Sequence, residues 1–247
     1  MRTASFALIL GICLTATLSA ADQAEATFAR ANADYAAGKY ASAVEGYESL
    51  VKNGHWNATV FYDLGNAYFR QNDLGCAILN YERALALDPA QPEARANLQL
   101  VRDRARALEL RSGWAEQHLN FLTRDQYTWL AAIAFWGAVA IGMGLNFSKR
   151  RPVVWTFTLV LLGAIAAGAA ATAYQLENGS SGRNLAIVVD KDVRARLAAA
   201  ESVGTVLVLP PGSEIKILST RGSWDYAALP NDQLGWIPHG SAERVRL

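Results

Sequence analysis

Residues 61–68 read Phe61-Tyr62-Asp63-Leu64-Gly65-Asn66-Ala67-Tyr68, and Ala77, Tyr81, Ala84 and Pro89 follow them. The surrounding stretch, from about Ala24 to Arg111, is rich in alanine and carries aromatics and leucines at helical spacing, with Gly and Pro as occasional breakers. Small residues at Gly65 and Ala77 suit two antiparallel helices in contact. Tyr68 and Tyr81 suit the gap to a further helix, and Pro89 ends the second helix. The pattern recurs. One 34-residue period earlier, Gly38-Lys39-Tyr40 is a helix–turn–helix joint, and Ala43, Tyr47 and Leu50 repeat the second-helix positions. The first helix there is weaker, with Ala31 in the glycine place and Asp34 in the tyrosine place. One period later, Pro92 opens a helix containing Leu98, Leu100, Val101 and Leu108, with Arg102, Arg104, Arg106 and Arg111 keeping it soluble. It reads as a capping helix or a third half-repeat, since a stacked array needs an atypical end.

Counted from Ala58, these residues resemble the tetratricopeptide repeat (TPR) at every signature position, from the aromatic Phe61 through Leu64-Gly65 to Pro89. The resemblance implies an all-α repeat over residues 22–111 with a concave groove suited to a partner segment. By register the groove face carries Phe28, Asn32 and Tyr35 from the first repeat, and Tyr62, Asn66, Phe69 and Arg70 from the second. Asparagines there suit a partner's backbone and aromatics suit its apolar side chains. The alternative is that all of them pack against neighbouring helices. Members of the family that clamp a C-terminal carboxylate use Lys and Arg at set groove positions. Phe28 and Glu93 occupy two of those positions, which argues against that specificity.

Hydrophobic content is 52%, above the usual soluble range, and the excess is concentrated in three apolar runs. The first, Ala4 to Leu18 after Arg2 and before Ser19-Ala20-Ala21, reads as a secretory signal spanning residues 1–21, with an uncleaved anchor as the alternative. Cys13 follows the bulky Ile12, which disfavours a lipoprotein signal, and removal of the signal leaves Cys76 unable to form an intrachain disulfide. A linker, 112–126, precedes the second run. Residues 127–147 and 153–174 are each about twenty residues without a charge, the length of a membrane span. Trp129 and Trp155 near their ends suit the interface. The turn 148–152, with Lys149, Arg150 and Arg151, assigns itself to the cytoplasm and both flanks to the other side. Small residues recur at four-residue spacing, Ala134, Ala138 and Gly142 in the first span and Gly163, Ala167 and Ala171 in the second. They pack the hairpin on itself or on another membrane protein. Neither span holds an ionisable residue, so no ion or proton path is expected.

After a linker at 175–183 the texture becomes β-rich. Leu185–Val189, Thr205–Val208, Glu214–Leu218 and Trp224–Leu229 are strand candidates, separated by Pro210-Pro211-Gly212, Arg221-Gly222 and Pro230-Asn231-Asp232. The ending, Gly222-Ser223-Trp224 and then Gly235-Trp236-Ile237-Pro238, resembles the bacterial SH3-like domain, which implies an all-β barrel over 184–247. Relatives of that kind bind cell-wall peptides or proteins. Trp224, Tyr226 and Trp236 are the candidate ligand surface, or they close the barrel.

Catalysis finds no support in the motifs. His55, His118 and His239 have no metal-ligand spacing and no triad around them, and there is no phosphate-binding or dinucleotide loop. The carboxylates read as solvated residues on helix faces. Lys+Arg 23 against Asp+Glu 22 gives no nucleic-acid surface. No cofactor, metal or enzyme activity is expected. The order of parts resembles, over the full chain, the BatE proteins of the Bacteroides aerotolerance (Bat) group. That implies a bacterial inner-membrane protein with periplasmic domains, working with Bat partners that bear von Willebrand A modules. Two functions stay open: a scaffold acting through the groove, and a sensing or peptidoglycan-binding module acting through the barrel.

Overall fold

The computed structural model describes residues 22–111, 118, 122–147, 153–179 and 182–246. The signal segment 1–21, the basic turn 148–152 and most of the linker 112–126 lie outside the described residues. The helices are α1 (22–36), α2 (Tyr40–Lys52), α3 (Ala58–Arg70), α4 (Leu74–Leu87), α5 (Pro92–Ala105), α6 (Arg124–Phe147) and α7 (Val153–Asn178). The strands are β1 (Leu185–Val188), β2 (Val193–Arg196), β3 (Thr205–Leu209), β4 (Glu214–Arg221), β5 (Trp224–Ala228), β6 (Leu234–Pro238) and β7 (Ala242–Arg244). Two compact units result: residues up to Glu109 together with Ala186–Leu247, and residues Leu110–Leu185.

In the first unit the helical period is visible in the turns. Gly38 (φ 76), Asn72 (φ 61) and Arg106 (φ 53) each adopt the left-handed conformation that stops a helix, and they stand one repeat apart. Arg106 therefore makes α5 the first helix of a third repeat. Asn57 caps α3 by accepting from Val60 N at 2.9 Å, Asp73 caps α4 by accepting from Cys76 N at 3.2 Å, and Pro92 starts α5. Inside the pairs, Gly65 is essential: a Cβ there would lie 2.9 Å from the Tyr81 ring. The first repeat solves the same contact differently. Ala31 takes the glycine place, and the glycine sits across from it at Gly46, where a Cβ would lie 2.9 Å from the Ala31 Cβ.

The β-region is one seven-stranded sheet in the order β3-β2-β6-β5-β4-β1-β7. Residues from all seven strands, among them Val188, Ala195, Leu209, Ile215, Ala227, Ile237 and Ala242, meet in one core. The order has two free ends, β3 and β7, so the sheet is open. A closed SH3-like barrel is not evident in it. β2, β6 and β7 were absent from the strand candidates, although the Gly235-Trp236-Ile237-Pro238 ending of the domain lies on β6.

The repeat helices and the sheet belong to one unit and pack together, although residues 110–185 separate them in the sequence. Gly75 in the first turn of α4 lies so close to β1 that a Cβ would meet Val189 O at 2.6 Å. Leu108 N donates to Ser213 Oγ (3.1 Å), Glu214 N donates to Leu108 O (2.8 Å), and the Leu108 side chain joins the sheet core. Arg83 on α4 donates to Glu243 Oε2 (3.1 Å) and to Arg244 O (3.0 Å). Arg102 on α5 pairs with Glu82 at 2.6 Å and with Glu214 of β4. The sheet thus covers the end of the array that an isolated repeat would leave bare.

The second unit pairs α6 and α7, two helices with mean hydropathy 1.8 and 2.1, each long and apolar enough to cross a membrane. α7 continues to Asn178, past residue 174 where the apolar run ends. On α6 the stripe meets its partner, with Ala134 buried and Gly142 facing Leu159. On α7 the stripe does not: Gly163, Ala167 and Ala171 are exposed, and Ala169 is the buried residue. Leu159 and Leu162, rather than small residues, fill the contact.

Candidate functional site

The register places the groove on α1, α3 and α5, and the side chains there form one polar–aromatic cluster. Tyr47 Oη donates to Asn32 Oδ1 at 2.5 Å, and one repeat later Tyr81 Oη donates to Asn66 Oδ1 at 2.7 Å. These are the same bond at positions 34 residues apart. Asn66 Oδ1 also accepts from Asn97 Nδ2 at 3.1 Å, and Asn97 reaches Tyr62 Oη at 3.4 Å. Asn66 is therefore a structural acceptor for two neighbouring helices. Phe28 packs against Tyr47 with ring centroids 6.0 Å apart and lines an open cleft of about 450 Å³ with Leu50, His55 and Trp56. Tyr35 stacks edge-on to Tyr40 at 5.4 Å. Phe69 lies under the Arg104 guanidinium and Arg70 lies over the Tyr40 ring, 4.5 Å from its centroid. So the groove residues make intramolecular contacts while Asn32 and Arg70 stay exposed and the others half-buried.

Sequence reasoning passed over Asp63. It sits on α3 among these groups, half-buried, with no ion pair or hydrogen bond to its carboxylate among the described residues. Burial pushes its pKa up from 3.8 to about 6, with no cation to offset it. Burial, with smaller contributions from the Asp63 charge and the Tyr35 phenol, pushes the Tyr47 phenol up, and Tyr81 responds the same way to burial and Tyr62. The phenols stay neutral donors. Its one sequence signal was register: Asp63 stands three residues before Asn66 and seven before Arg70, on one helical face.

An unpaired, half-buried carboxylate carries a stability cost. The folded state keeps the Asp63 proton up to about pH 6, whereas the unfolded chain loses it near 3.8. The cost is thus complete above pH 6 and vanishes below about pH 4. Asp63→Asn should raise stability by about 1–2 kcal/mol at pH 7.5, after allowance for solvent screening, and by nothing near pH 4. Thermal melts of both chains at the two pH values check this.

On the sheet, Trp224, Tyr226 and Trp236 share one face, because their neighbours Asp225, Ala227 and Ile237 are buried on the other. The Tyr226 and Trp236 rings are 4.8 Å apart. His239 Nδ1 lies 2.9 Å from the buried Asp225 Oδ2, and Thr220 donates to the other oxygen. No group of metal-ligating residues occurs among the described residues. Cys76 is a packed thiol, its pKa pushed up by burial and by Asp73.

Residues 65–101 match the family model described as a TPR repeat. The match runs from the glycine of the tight α3–α4 contact to Val101, one turn before the end of α5. No curated protein matches the chain significantly. The matched repeat defines a module of the class that binds other proteins.

Proposed function

We propose that the chain is a membrane-anchored scaffold whose helical groove holds an extended segment of a protein partner. The observation that carries this reading is the row of exposed Asn32 and half-buried Tyr35, Tyr62, Asn66 and Phe69 on α1 and α3, beside and within the residues 65–101 that match a TPR repeat. It pairs backbone-binding amides with aromatic surface. The anchor is the α6–α7 hairpin. In the sequence its two helices fall between the repeat and the sheet, which belong to one compact unit. An even number of crossings leaves both flanks on one side of a membrane, as that packing demands. The cations of the 148–152 turn favour the cytoplasm for the turn and the bacterial periplasm for the unit. The resemblance in order to BatE supports an inner-membrane complex with Bat partners, including von Willebrand A proteins, in oxygen or stress tolerance. The role is non-catalytic and needs no cofactor.

Tyr62→Ala with Asn66→Ala should abolish capture of the partner by the full chain in detergent. Because Asn66 accepts from Tyr81 and Asn97, the pair should also lose about 1–3 kcal/mol. Capture is therefore read well below the melting temperature, beside Asn66→Asp, which keeps the acceptor. Capture unchanged in the double variant removes the groove from the account.

The shared face of Trp224, Tyr226 and Trp236 favours a second reading, in which the sheet domain, an SH3-like module opened at β3 and β7, grips peptidoglycan. Full-length protein in detergent should then sediment with isolated cell wall. A chain left in the supernatant sinks that reading.

A further inference from the structure

The outward face of the sheet carries charge of one sign. Cross-strand pairing sets Ser219, Tyr226, Trp236 and Arg196 side by side on β4, β5, β6 and β2, and places Arg221 opposite Trp224 one row along. Arg194 stands outward on β2 opposite Val208, and Lys216 stands outward on β4 opposite Ala228. Every charged side chain that the register places on these rows is therefore a cation. Further along β4 the acid Glu214 is paired with Arg102 of α5. Arg194 and Arg221 are exposed and hold no ion pair among the described residues. Arg196 donates to the Glu201 and Val203 carbonyls, which leaves its charge uncompensated. Between these cations lie the half-buried rings of Trp224, Tyr226 and Trp236, and at the margin Leu234 and Val208 are 48% and 47% exposed.

The combination has a definite chemistry. Arginine forks match the oxygens of a phosphate, indole and phenol rings favour the headgroup layer of a bilayer, and exposed aliphatic groups gain by leaving water. The groups are spread from β4 to β2, about 14 Å at ordinary strand spacing, which suits a surface better than one small ligand. Residues 179–184 are all that joins the end of α7 to the start of β1 in the sequence, and an extended chain of that length reaches about 20 Å. A sheet on so short a tether meets the headgroups of a bilayer at high effective concentration.

We propose that this face of the sheet binds an anionic phospholipid surface, with Arg194 and Arg221 on headgroup phosphates and the three aromatic rings among the headgroups. The inference rests on the reading of α6 and α7 as a membrane anchor and adds a second, reversible contact with the same bilayer. The face cannot hold peptidoglycan while it lies on lipid, so the two ligands compete for it.

The test places the full chain in nanodiscs of phosphatidylcholine, with or without phosphatidylglycerol. Ser219→Cys, exposed on the face, carries a fluorophore, and a lipid with a nitroxide on its headgroup quenches whatever lies at the bilayer surface. Unsubstituted protein treated in the same way gives the background from the native cysteines. The proposal expects quenching about twofold deeper or more when phosphatidylglycerol is present. That excess should vanish in high salt and in the Arg194→Gln/Arg221→Gln variant. Neither arginine holds an ion pair, so the double variant should melt with its parent and the lost quenching is not unfolding. Equal quenching in both lipids, unmoved by salt or by the arginines, would mean that the tether alone keeps the sheet near the membrane, and overturns the proposal. No quenching in either lipid overturns it too. If cell-wall fragments then shift the emission of the label at position 219, the face returns to the peptidoglycan reading. A chain that does not enter the discs overturns the anchor reading, and this one with it.

Discussion

Replacing Arg102 with alanine should destabilise the repeat–sheet unit by about 3 kcal/mol, the largest effect expected of any single charge in the chain. Arg102 stands where three carboxylates converge: Glu82 at 2.6 Å, Glu214 of β4, and Glu109 at 3.6 Å. Its side chain is 17% exposed and those of Glu82 and Glu214 are 16% and 12% exposed, so water screens them little. Burial already raises the Glu82 pKa, Arg102 opposes that rise, and Glu109 adds to it. Without the guanidinium, Glu82 would face Glu214 uncompensated. The folded variant would then hold a proton that the unfolded chain releases, so its deficit should shrink as the pH falls from 8 toward 5. Thermal melts across that range read both effects. Arg102→Met with Glu82→Gln should recover most of the loss, since an apolar neighbour does not strand a charge. A deficit under about 1 kcal/mol would mean that the cluster behaves like a surface pair.

Gly65→Val should cost about 3 kcal/mol or more, and the sign is what makes it informative. In an exposed helix, replacing glycine with a larger residue stabilises or is neutral, because glycine is a poor helix former by about 1 kcal/mol. At Gly65 the added Cβ would meet the Tyr81 ring at 2.9 Å and Ala77 O at 3.3 Å. Tyr81 cannot swing away. It is fully buried, and its hydroxyl is tied to Asn66. Overpacking therefore forces α3 and α4 apart and disturbs the groove built on α3. Urea unfolding of the two chains measures the cost. The same substitution at the exposed, open Gly144 of α6 meets nothing within 4 Å and is a control for glycine replacement in general.

The repeat was legible because its contacts are local and periodic. Gly65, Ala77 and Tyr81 meet within one helical pair, so their spacing alone specifies the packing. The groove residues followed from the same register. Asp63 did not, since a carboxylate on a helix face reads as solvated until the packing of α3 half-buries it. The docking of repeat on sheet was not legible at all. Arg83 meets Glu243 and Arg102 meets Glu214 across more than a hundred residues, and no pattern in a sequence announces such pairs. β2 is a nearer miss. Val193-Arg194-Ala195-Arg196 alternates inward and outward, but alanine as the inward residue weakens the apolar signal, and the left-handed Asp192 before it looks like loop. The small stripe of α7 could not choose between its two readings, the hairpin itself or another membrane protein, for a simpler reason. Four-residue spacing identifies a face without saying which neighbour it meets, and Leu159 and Leu162 turned out to face α6.

The most direct test of the groove as the functional surface is affinity purification of the full chain from detergent-solubilised membranes, beside the Tyr62→Ala/Asn66→Ala and Asn66→Asp variants. All three are matched for helical circular dichroism, and bound proteins are read by mass spectrometry. A defined set of membrane or periplasmic proteins should accompany the wild type and be lost from the double variant. The same set retained undiminished on the folded double variant would contradict the account and move the functional surface to the hairpin or the sheet.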